Sequence, residues 1–268
     1  MRTNRFDQIE YLNPNNIIND YNSIGLVYDQ VMGDDIAKIL LRITSVFVKR
    51  INSDSQLKLL DLCCGSGAYI YHFNRLFHNV ESVGIDLSKM QLEVAKIKCK
   101  NYNANFIEGD IVKTPIPTNI DLVTINLDAL NHITDYRDWG KIFRKVYKSL
   151  NSSGIFIFDV NSRNRLIRDW NYPEVIIKKD LTYVQCGLDY TIEPNFVRRK
   201  ILMLIFEDVG TKVQKYSAII EQISMYKNDI YKLLKSSGFK HVKEYYKPDA
   251  NNLEHIFLKN RFFFYVQK

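Results

Sequence analysis

The sequence predicts an α/β protein built on a doubly wound, Rossmann-like sheet, with an antiparallel β insertion after the fifth strand. Two observations carry this prediction. Between about residues 57 and 160, short apolar runs alternate with amphipathic segments, a spacing typical of parallel strands joined by right-handed helical crossovers. Between about residues 174 and 223, the chain is rich in β-forming residues and shows little helical period.

The first half of the sheet can be followed strand by strand. The expected strands are Leu57–Leu62, Val80–Ile85, Asn105–Ile107, Asp121–Asn126 and Ile155–Val160. Helices are expected over Ala68–Phe77, after Ser88, and over Trp139–Leu150, where apolar residues fall on one helical face. Ser88 has the position of an N-cap, and Gln91 three residues later would complete a capping box.

The second half predicts the insertion and the closing elements. The expected insertion strands are Glu174–Ile177, Thr182–Gln185, Ile201–Phe206 and Ser217–Ile223, and the expected closing elements are a helix over Tyr226–Lys235 and strands at His241–Tyr246 and Phe262–Val266. We therefore expect a helical N-terminal lid at 1–50, a Rossmann-like domain at 51–160 and 224–268, and a substrate-side insertion at 161–223.

Composition excludes several classes of protein. The 268 residues are 46% hydrophobic and 25% charged, as in ordinary folded proteins. Charged residues interrupt the N-terminus, and no apolar run approaches the roughly 18 residues of a membrane span. The four cysteines form no CxxC pair, which argues against structural zinc. We expect a cytoplasmic protein without a membrane or metal, either a monomer or a homodimer.

The net charge of +7 is unevenly distributed. Residues 1–160 contain 18 basic and 18 acidic side chains, whereas residues 161–268 contain 19 basic and 12 acidic ones. This asymmetry favours a solvated, lysine-rich surface, with an acidic partner, such as nucleic acid or a phosphorylated small molecule, as the alternative.

A glycine-bearing turn follows the first strand, in the stretch Asp61-Leu62-Cys63-Cys64-Gly65-Ser66-Gly67. Such a turn lets backbone N–H groups approach a ligand at a helix N-terminus. Compared with the dinucleotide pattern G-x-G-x-x-G, Cys63 replaces the first glycine and Ile70 the third, so the turn alone is weak evidence.

Acidic residues close three successive strands: Asp61, Asp86 and Asp110. In a doubly wound sheet these ends line one crevice, where ligands bind. Asp86 lies 19 residues after Gly67, close to the spacing of a carboxylate that binds ribose hydroxyls. Three carboxylates in register with the glycine turn predict a nucleotide-like cofactor.

The stretches 60–67, 84–88 (Gly-Ile-Asp-Leu-Ser) and 108–111 (Glu-Gly-Asp-Ile) resemble the first three motifs of class I S-adenosylmethionine-dependent methyltransferases. The resemblance runs from about residue 20 to the C-terminus and implies a seven-stranded sheet with an antiparallel final hairpin. It implies S-adenosyl-L-methionine as cofactor and S-adenosyl-L-homocysteine as product. The implied cofactor-binding residues are Tyr21, Tyr28, Asp61, Cys63, Gly65, Ser66, Gly67, Asp86, Leu87, Met90, Gly109, Asp110, Ile111, Asn126 and Leu127.

The motif after the fourth strand, Asn126-Leu127-Asp128-Ala129-Leu130-Asn131-His132, is not the Asn/Asp-Pro-Pro-aromatic signature of base-methylating enzymes. It resembles that of small-molecule N-methyltransferases of the glycine and amino-sugar types, and implies His132 as a catalytic base. The stretch from Asp20 to Met32 resembles the N-terminal lid of the same group, in which Tyr21 and Tyr28 would close over the sulfonium, Tyr21 in a catalytic role.

We therefore predict an enzyme of secondary metabolism that methylates a small molecule at an amine nitrogen, with the acidity of the acceptor left open. Two alternatives stay open. An RNA or protein methyltransferase would account for Arg198-Arg199-Lys200, and a protein that binds S-adenosylmethionine without turnover would share the same motifs. Asp159–Ser162 could border the acceptor pocket, and Arg163 or Arg165 could meet an anionic group.

Overall fold

The computed structural model describes residues 24–48, 56–245 and 259–268, and the following account concerns these residues. They form two β-sheets and seven α-helices. The strands are β1 (Leu57–Leu62), β2 (Val80–Asp86), β3 (Ala104–Glu108), β4 (Ile120–Ile125), β5 (Leu150–Asn161), β6 (Glu174–Lys178), β7 (Leu181–Ile192), β8 (Phe196–Asp208), β9 (Val213–Met225), β10 (His241–Tyr245) and β11 (Arg261–Gln267).

The helices are α1 (Gly25–Tyr28), α2 (Asp34–Val48), α3 (Ala68–Leu76), α4 (Lys89–Lys98), α5 (Tyr136–Ser149), α6 (Arg163–Arg168) and α7 (Lys227–Ser236). A π-helical turn, Asp29–Gly33, joins α1 to α2. No helix in the described ranges is both long and apolar enough to span a membrane.

The larger sheet has seven strands in the order β10-β11-β5-β4-β1-β2-β3. Strands β1 to β5 are parallel, and β11 lies antiparallel between β5 and β10. The order of the parallel strands reverses between β1 and β4. In a doubly wound fold, the ligand binds in the crevice at the carboxyl ends of such a pair of strands. The α/β fold class predicted from the sequence is confirmed.

Side chains that alternate along the strands of the larger sheet pack into two apolar layers. Leu59 faces the layer formed with α2 and α3, and Leu60 faces the layer formed with α5 and α7. The second layer contains the fully buried Trp139 and Phe143 of α5 and Phe264 of β11. These layers fix the strand ends, and with them the acidic residues that close the strands.

The antiparallel insertion is the four-stranded sheet β6-β7-β8-β9. Its inner face is fully apolar at Ile201, Met203, Ile205 and Ala218, which are buried against α6, the π-helical turn and the larger sheet. The sheet therefore stands over the carboxyl ends of β4 and β5 and closes a space beside them.

Most element boundaries differ from the predicted ones by one or two residues, but the insertion strands β7, β8 and β9 are 12 or 13 residues long, far longer than expected. Ser88 caps α4 by accepting a hydrogen bond from the backbone N–H of Gln91 at 3.3 Å. The reciprocal half of the predicted capping box is replaced, because the Ser88 N–H donates to Asp86 instead.

Candidate active site

The turn after β1 has a backbone that suits close approach of a ligand. Cys63, Gly65 and Gly67 all have positive φ, of 59°, 53° and 71°. A Cβ on Gly67 would lie 2.9 Å from the Cβ of Ala95, whereas a Cβ on Gly65 would meet nothing within 4 Å. The turn is thus packed against α4 on one side and open on the other, where its N–H groups begin α3.

Asp86, at the end of β2, is joined to this turn. Its Oδ2 accepts the N–H of Gly65 at 2.8 Å, and its Oδ1 accepts the N–H of Ser88 at 2.9 Å. Burial raises the pKa of this carboxyl, although the backbone donors oppose the shift. A carboxylate has about four lone-pair positions, so Asp86 can still accept a hydrogen bond from a hydroxyl donor.

Asp61, near the end of β1, lies deeper in the protein than Asp86. It is 2% exposed and accepts hydrogen bonds from Thr124 Oγ1 at 2.6 Å and from Asn126 Nδ2 at 3.3 Å. Burial raises its pKa to about 7 in spite of these two donors. A cationic group bound nearby would favour the ionised form.

Further residues implied to bind the cofactor lie at the ends of β2 and β3. Leu87 and Met90 are 73% and 41% exposed, which leaves two apolar side chains uncovered beside Asp86. Asp110 Oδ1 accepts the N–H of Val112 at 2.8 Å, and Ile111 is buried at the same turn. Gly109 is tightly packed, since a Cβ there would lie 2.3 Å from Thr114 Oγ1.

These features fit S-adenosylmethionine. The open side of Gly65 leaves room for the amino-acid chain of the cofactor. The remaining acceptor capacity of Asp86 suits the ribose, and the uncovered apolar side chains of Leu87 and Met90 suit the flat purine. When bound, the cofactor supplies an electrophilic methyl group on a sulfonium. The cofactor-binding roles that the resemblance implies for these residues stay predictions.

A cavity of about 380 Å³ lies between this edge of the larger sheet and the insertion sheet. Its volume is that of a small-molecule site. Its apolar wall includes Tyr28, Met32, Leu127, Trp170, Ile176, Tyr183, Met203 and Ile220, and its polar wall includes Asp128, Arg165, Asp169, Glu174, Gln185, Gln222, Lys259 and Arg261.

Two buried arginines line the cavity, and we call the wall around Arg261 its inner end and the wall around Arg165 its outer end. At the inner end, Arg261 pairs with Asp159 and, at 2.7 Å, with Asp128. At the outer end, Arg165 lies 3.4 Å from Glu174 and 3.7 Å from Asp169. Each guanidinium therefore faces two carboxylates.

The N-terminal segment covers both regions. Tyr28 and Met32 line the cavity, and burial raises the pKa of the Tyr28 hydroxyl. Asp29, in the π-helical turn between them, accepts a hydrogen bond from Lys98 Nζ at 2.5 Å, and the same ammonium lies 3.4 Å from Ser66 Oγ. Tyr21, predicted as the second lid tyrosine, lies outside the described residues.

His132, the predicted base, ends a 3-10 turn (Ala129–His132) behind the inner end of the cavity. Its Nε2 lies 3.0 Å from Gln222 Nε2 and 3.9 Å from Asp128 Oδ2. The Gln222 amide is oriented by Asn161, which donates to its oxygen at 3.0 Å, so its nitrogen must be the donor to His132. Burial lowers the pKa of His132, which favours a neutral ring. The catalytic role stays a prediction.

Arg198 and Arg199, which motivated the RNA alternative, are both engaged within the protein. Arg198 pairs with Glu221 and donates to the Thr134 carbonyl, while Arg199 is 2% exposed and donates to the Leu166 and Trp170 carbonyls. Of the three residues in the basic stretch, Lys200 alone is exposed. Arg163 stacks on Tyr226, 3.8 Å from the ring centroid.

Comparison with known proteins agrees with this geometry. Residues 59–154 match the family model of a methyltransferase domain. A protein of Geobacillus sp. (strain WCH70), provisionally named a methyltransferase, is 23% identical over 82% of this chain and 88% of its own.

Two solved structures show the same fold. An S-adenosylmethionine-dependent methyltransferase from Clostridium acetobutylicum ATCC 824 is 23% identical, covers 92% of this chain and 98% of its own, and has a TM-score of 0.68. CalS10 of Micromonospora echinaspora, an amino pentose methyltransferase solved with S-adenosylmethionine bound, is 18% identical, with coverages of 87% and 90% and a TM-score of 0.60.

The chain thus carries a methyltransferase domain at 59–154 on the fold of class I methyltransferases, and it is an S-adenosylmethionine-dependent methyltransferase. Sequence reasoning singled out the carboxyl edge of the larger sheet, but of the polar wall of the cavity it named only Arg165 as a candidate contact. Asp128 lies in the motif that follows the fourth strand, but no role was predicted for it. Neither Arg261 nor Gln222 was predicted as a site residue. Their partners are 90 or more residues away in sequence, so local patterns held no signal for them.

Proposed function

We propose that this enzyme methylates an amine nitrogen of a small molecule that binds in the cavity between the two sheets. The observation that carries the proposal is the charge of the cavity wall. Each buried arginine is shared by two carboxylates, Arg261 by Asp128 and Asp159, and Arg165 by Asp169 and Glu174. With all four carboxyls ionised, the carboxylates outnumber each arginine by one negative charge; Asp159 lies behind the wall, and burial raises its pKa.

The balance favours a cationic acceptor over an acidic one. Lys259 also lines the cavity, but it is exposed, so water screens its charge more than it screens the buried groups. An ammonium group entering the inner end would meet Asp128, whereas a carboxylate or phosphate there would be repelled. Among the described residues, this argues against the acidic acceptor that the chain's net charge had left open.

The size of the site, about 380 Å³, favours a small molecule. The cavity is bounded by the insertion sheet on one side and by Tyr28 and Met32 on the other. The RNA alternative loses two of the three residues of its basic stretch, because Arg198 and Arg199 are bound within the protein. CalS10 is named as an amino pentose methyltransferase, and this name supports an amine acceptor for the present enzyme.

An amine must lose a proton before or during its attack on a methyl group. His132 is well placed to take part, because its lowered pKa keeps the ring neutral at pH 7. Its Nε2 lone pair faces Gln222, so we propose that the proton first reaches Asp128 and that His132 accepts it as the Gln222 amide shifts. Alignment of the amine supplies the larger share of the rate, as in other transfers between bound reactants.

We further propose that the enzyme works in a reducing cytoplasm, since Cys63, Cys64, Cys99 and Cys186 are all unpaired thiols. Whether the acceptor belongs to secondary metabolism, and whether the protein is a monomer or a homodimer, stay predictions of the sequence.

A matched panel of acceptors tests the proposal. Each set would present the same carbon skeleton as amine, alcohol and carboxylic acid, and S-adenosylhomocysteine release would be measured with wild type and Asp128→Asn. We expect turnover on amines, and a loss of at least tenfold in kcat/KM for Asp128→Asn. Turnover confined to alcohols, acids or RNA would refute amine methylation, and cofactor binding with no turnover on any acceptor would favour the non-catalytic alternative.

A further inference from the structure

The backbone between β4 and the 3-10 turn is held in an uncommon conformation. Leu127 and Asp128 both have positive φ, of 62° and 49°. Two consecutive non-glycine residues in the left-handed region are sterically unfavourable, so the surroundings must stabilise them. Leu127 and Asp128 are also the residues of this turn that line the acceptor cavity.

The carboxylate of Asp159 holds this turn. Its Oδ1 accepts the N–H of Leu127 at 2.6 Å, and its Oδ2 accepts the N–H of Asp128 at 2.8 Å. Asp159 lies near the end of β5 and is 1% exposed. Both unusual residues are thus bound through their backbones to one carboxylate on the neighbouring strand.

Arg261 completes the arrangement from the other side of β5. It is the first residue of β11 and is 7% exposed. One terminal nitrogen of its guanidinium pairs with Asp159 Oδ2, and the other pairs with Asp128 Oδ1 at 2.7 Å. Arg261 therefore links Asp159, which binds the backbone of Leu127 and Asp128, to the side chain of Asp128.

We propose that Arg261 is a positioning residue for methyl transfer: through Asp159 and the Leu127–Asp128 turn, it aims the Asp128 carboxylate at the nitrogen of the acceptor. The planar guanidinium suits this task because its two terminal nitrogens bind two carboxylates in one fixed geometry. Lysine would keep the charge but could not hold both carboxylates in that geometry. The inference rests on the proposed function of Asp128.

A double-mutant cycle tests it. We would measure kcat and KM for the best amine acceptor, and cofactor affinity by calorimetry, for Arg261→Gln, Asp128→Asn and the double variant. Arg198→Gln serves as the control, since Arg198 also pairs with a carboxylate but does not line the cavity. We expect Arg261→Gln to lower kcat/KM by 30-fold or more, with cofactor affinity within threefold of wild type.

The decisive comparison is between the single and double variants. If Arg261 acts through Asp128, then Arg261→Gln costs less than threefold further once Asp128 is Asn, because coupled residues are not additive. Losses that multiply would overturn the proposal, as would a loss of cofactor affinity equal to the loss of kcat/KM.

Arg261→Gln leaves two buried carboxylates without their cation and could unfold the protein. In that case Arg261→Lys and Asp159→Asn take its place in the same cycle, with an expected tenfold loss each and the same non-additivity with Asp128→Asn. Should wild type prove to methylate an alcohol instead, the amine proposal fails, but the cycle can be run on that acceptor and still decides whether Arg261 positions Asp128.

Discussion

The Oδ2 atom of Asp86 accepts a hydrogen bond from the backbone N–H of Gly65 at 2.8 Å. This contact joins the end of β2 to the glycine turn after β1, 21 residues earlier in the chain. It means that one carboxylate shapes the turn and stands at the crevice where a ribose would bind. Loss of the carboxylate should therefore affect the cofactor site in two ways at once.

Asp86→Ala is expected to lower the affinity for S-adenosylmethionine by at least 100-fold, since both the turn and the acceptor of hydroxyl donors are lost. Calorimetric titration of the cofactor measures this directly. Glu93→Gln, which changes an exposed carboxylate on α4, is the control and should change affinity less than twofold. Unchanged affinity in Asp86→Ala would show that the cofactor binds elsewhere.

Gly67→Ala is expected to destabilise the fold more than an ordinary left-handed glycine substitution does. The new Cβ would meet Ala95 at 2.9 Å in addition to the strain of φ = 71°, so about 2–4 kcal/mol should be lost from the free energy of unfolding. Gly210→Ala, with φ = 85° and open space around it, should lose about 1–2 kcal/mol. Urea unfolding measures both, and equal losses would contradict close packing of the turn.

Asp61 should make stability depend on pH. Its folded pKa is raised to about 7, whereas an unfolded Asp titrates near 4. Between these values the folded state binds more protons, so the free energy of unfolding falls as pH rises from about 4 to 7. Asp61→Asn should remove this fall, which we expect to be about 1–3 kcal/mol between pH 5 and 8. Parallel pH profiles of wild type and variant would mean that Asp61 is ionised throughout.

His132→Ala should lower kcat by about 10²-fold if His132 takes the proton of the acceptor, with cofactor affinity within twofold of wild type. Because burial lowers the pKa of His132, wild-type kcat should fall only below about pH 6.5, where the ring begins to gain its own proton. The exposed His78 provides the control variant, His78→Ala. A kcat for His132→Ala equal to wild type between pH 6 and 8 would rule out the base role.

The fold was predictable because its signals are local. Strands β1 to β5 and helix α5 each show a pattern of apolar residues within their own segment. Ser88 caps α4 through the backbone N–H of Gln91, only three residues further along the chain. The carboxyl edge was predictable for a related reason, since Asp61, Asp86 and Asp110 each follow their own strand. A parallel topology then brings such ends to one edge.

The acceptor cavity was not predictable in the same way. Asp128 is held by Gln222 of β9 and by Arg261 of β11, which lie 94 and 133 residues further along the chain. Arg165, noted as one of two arginines that could meet an anion, is instead occupied by Glu174 and Asp169. Pairings of this kind depend on how two sheets pack, and no period in the sequence encodes them.

The most direct test of the account is whether methyl transfer takes place in the cavity between the sheets. Ile220 lines that cavity, while its neighbour Ile219 points to the other face of the insertion sheet. Transfer of labelled methyl groups to an amine would be measured for Ile220→Trp and Ile219→Trp at saturating cofactor. The account predicts at least a tenfold loss of kcat/KM for Ile220→Trp, unchanged cofactor affinity, and less than a twofold change for Ile219→Trp. Equal activity in the two variants would contradict it.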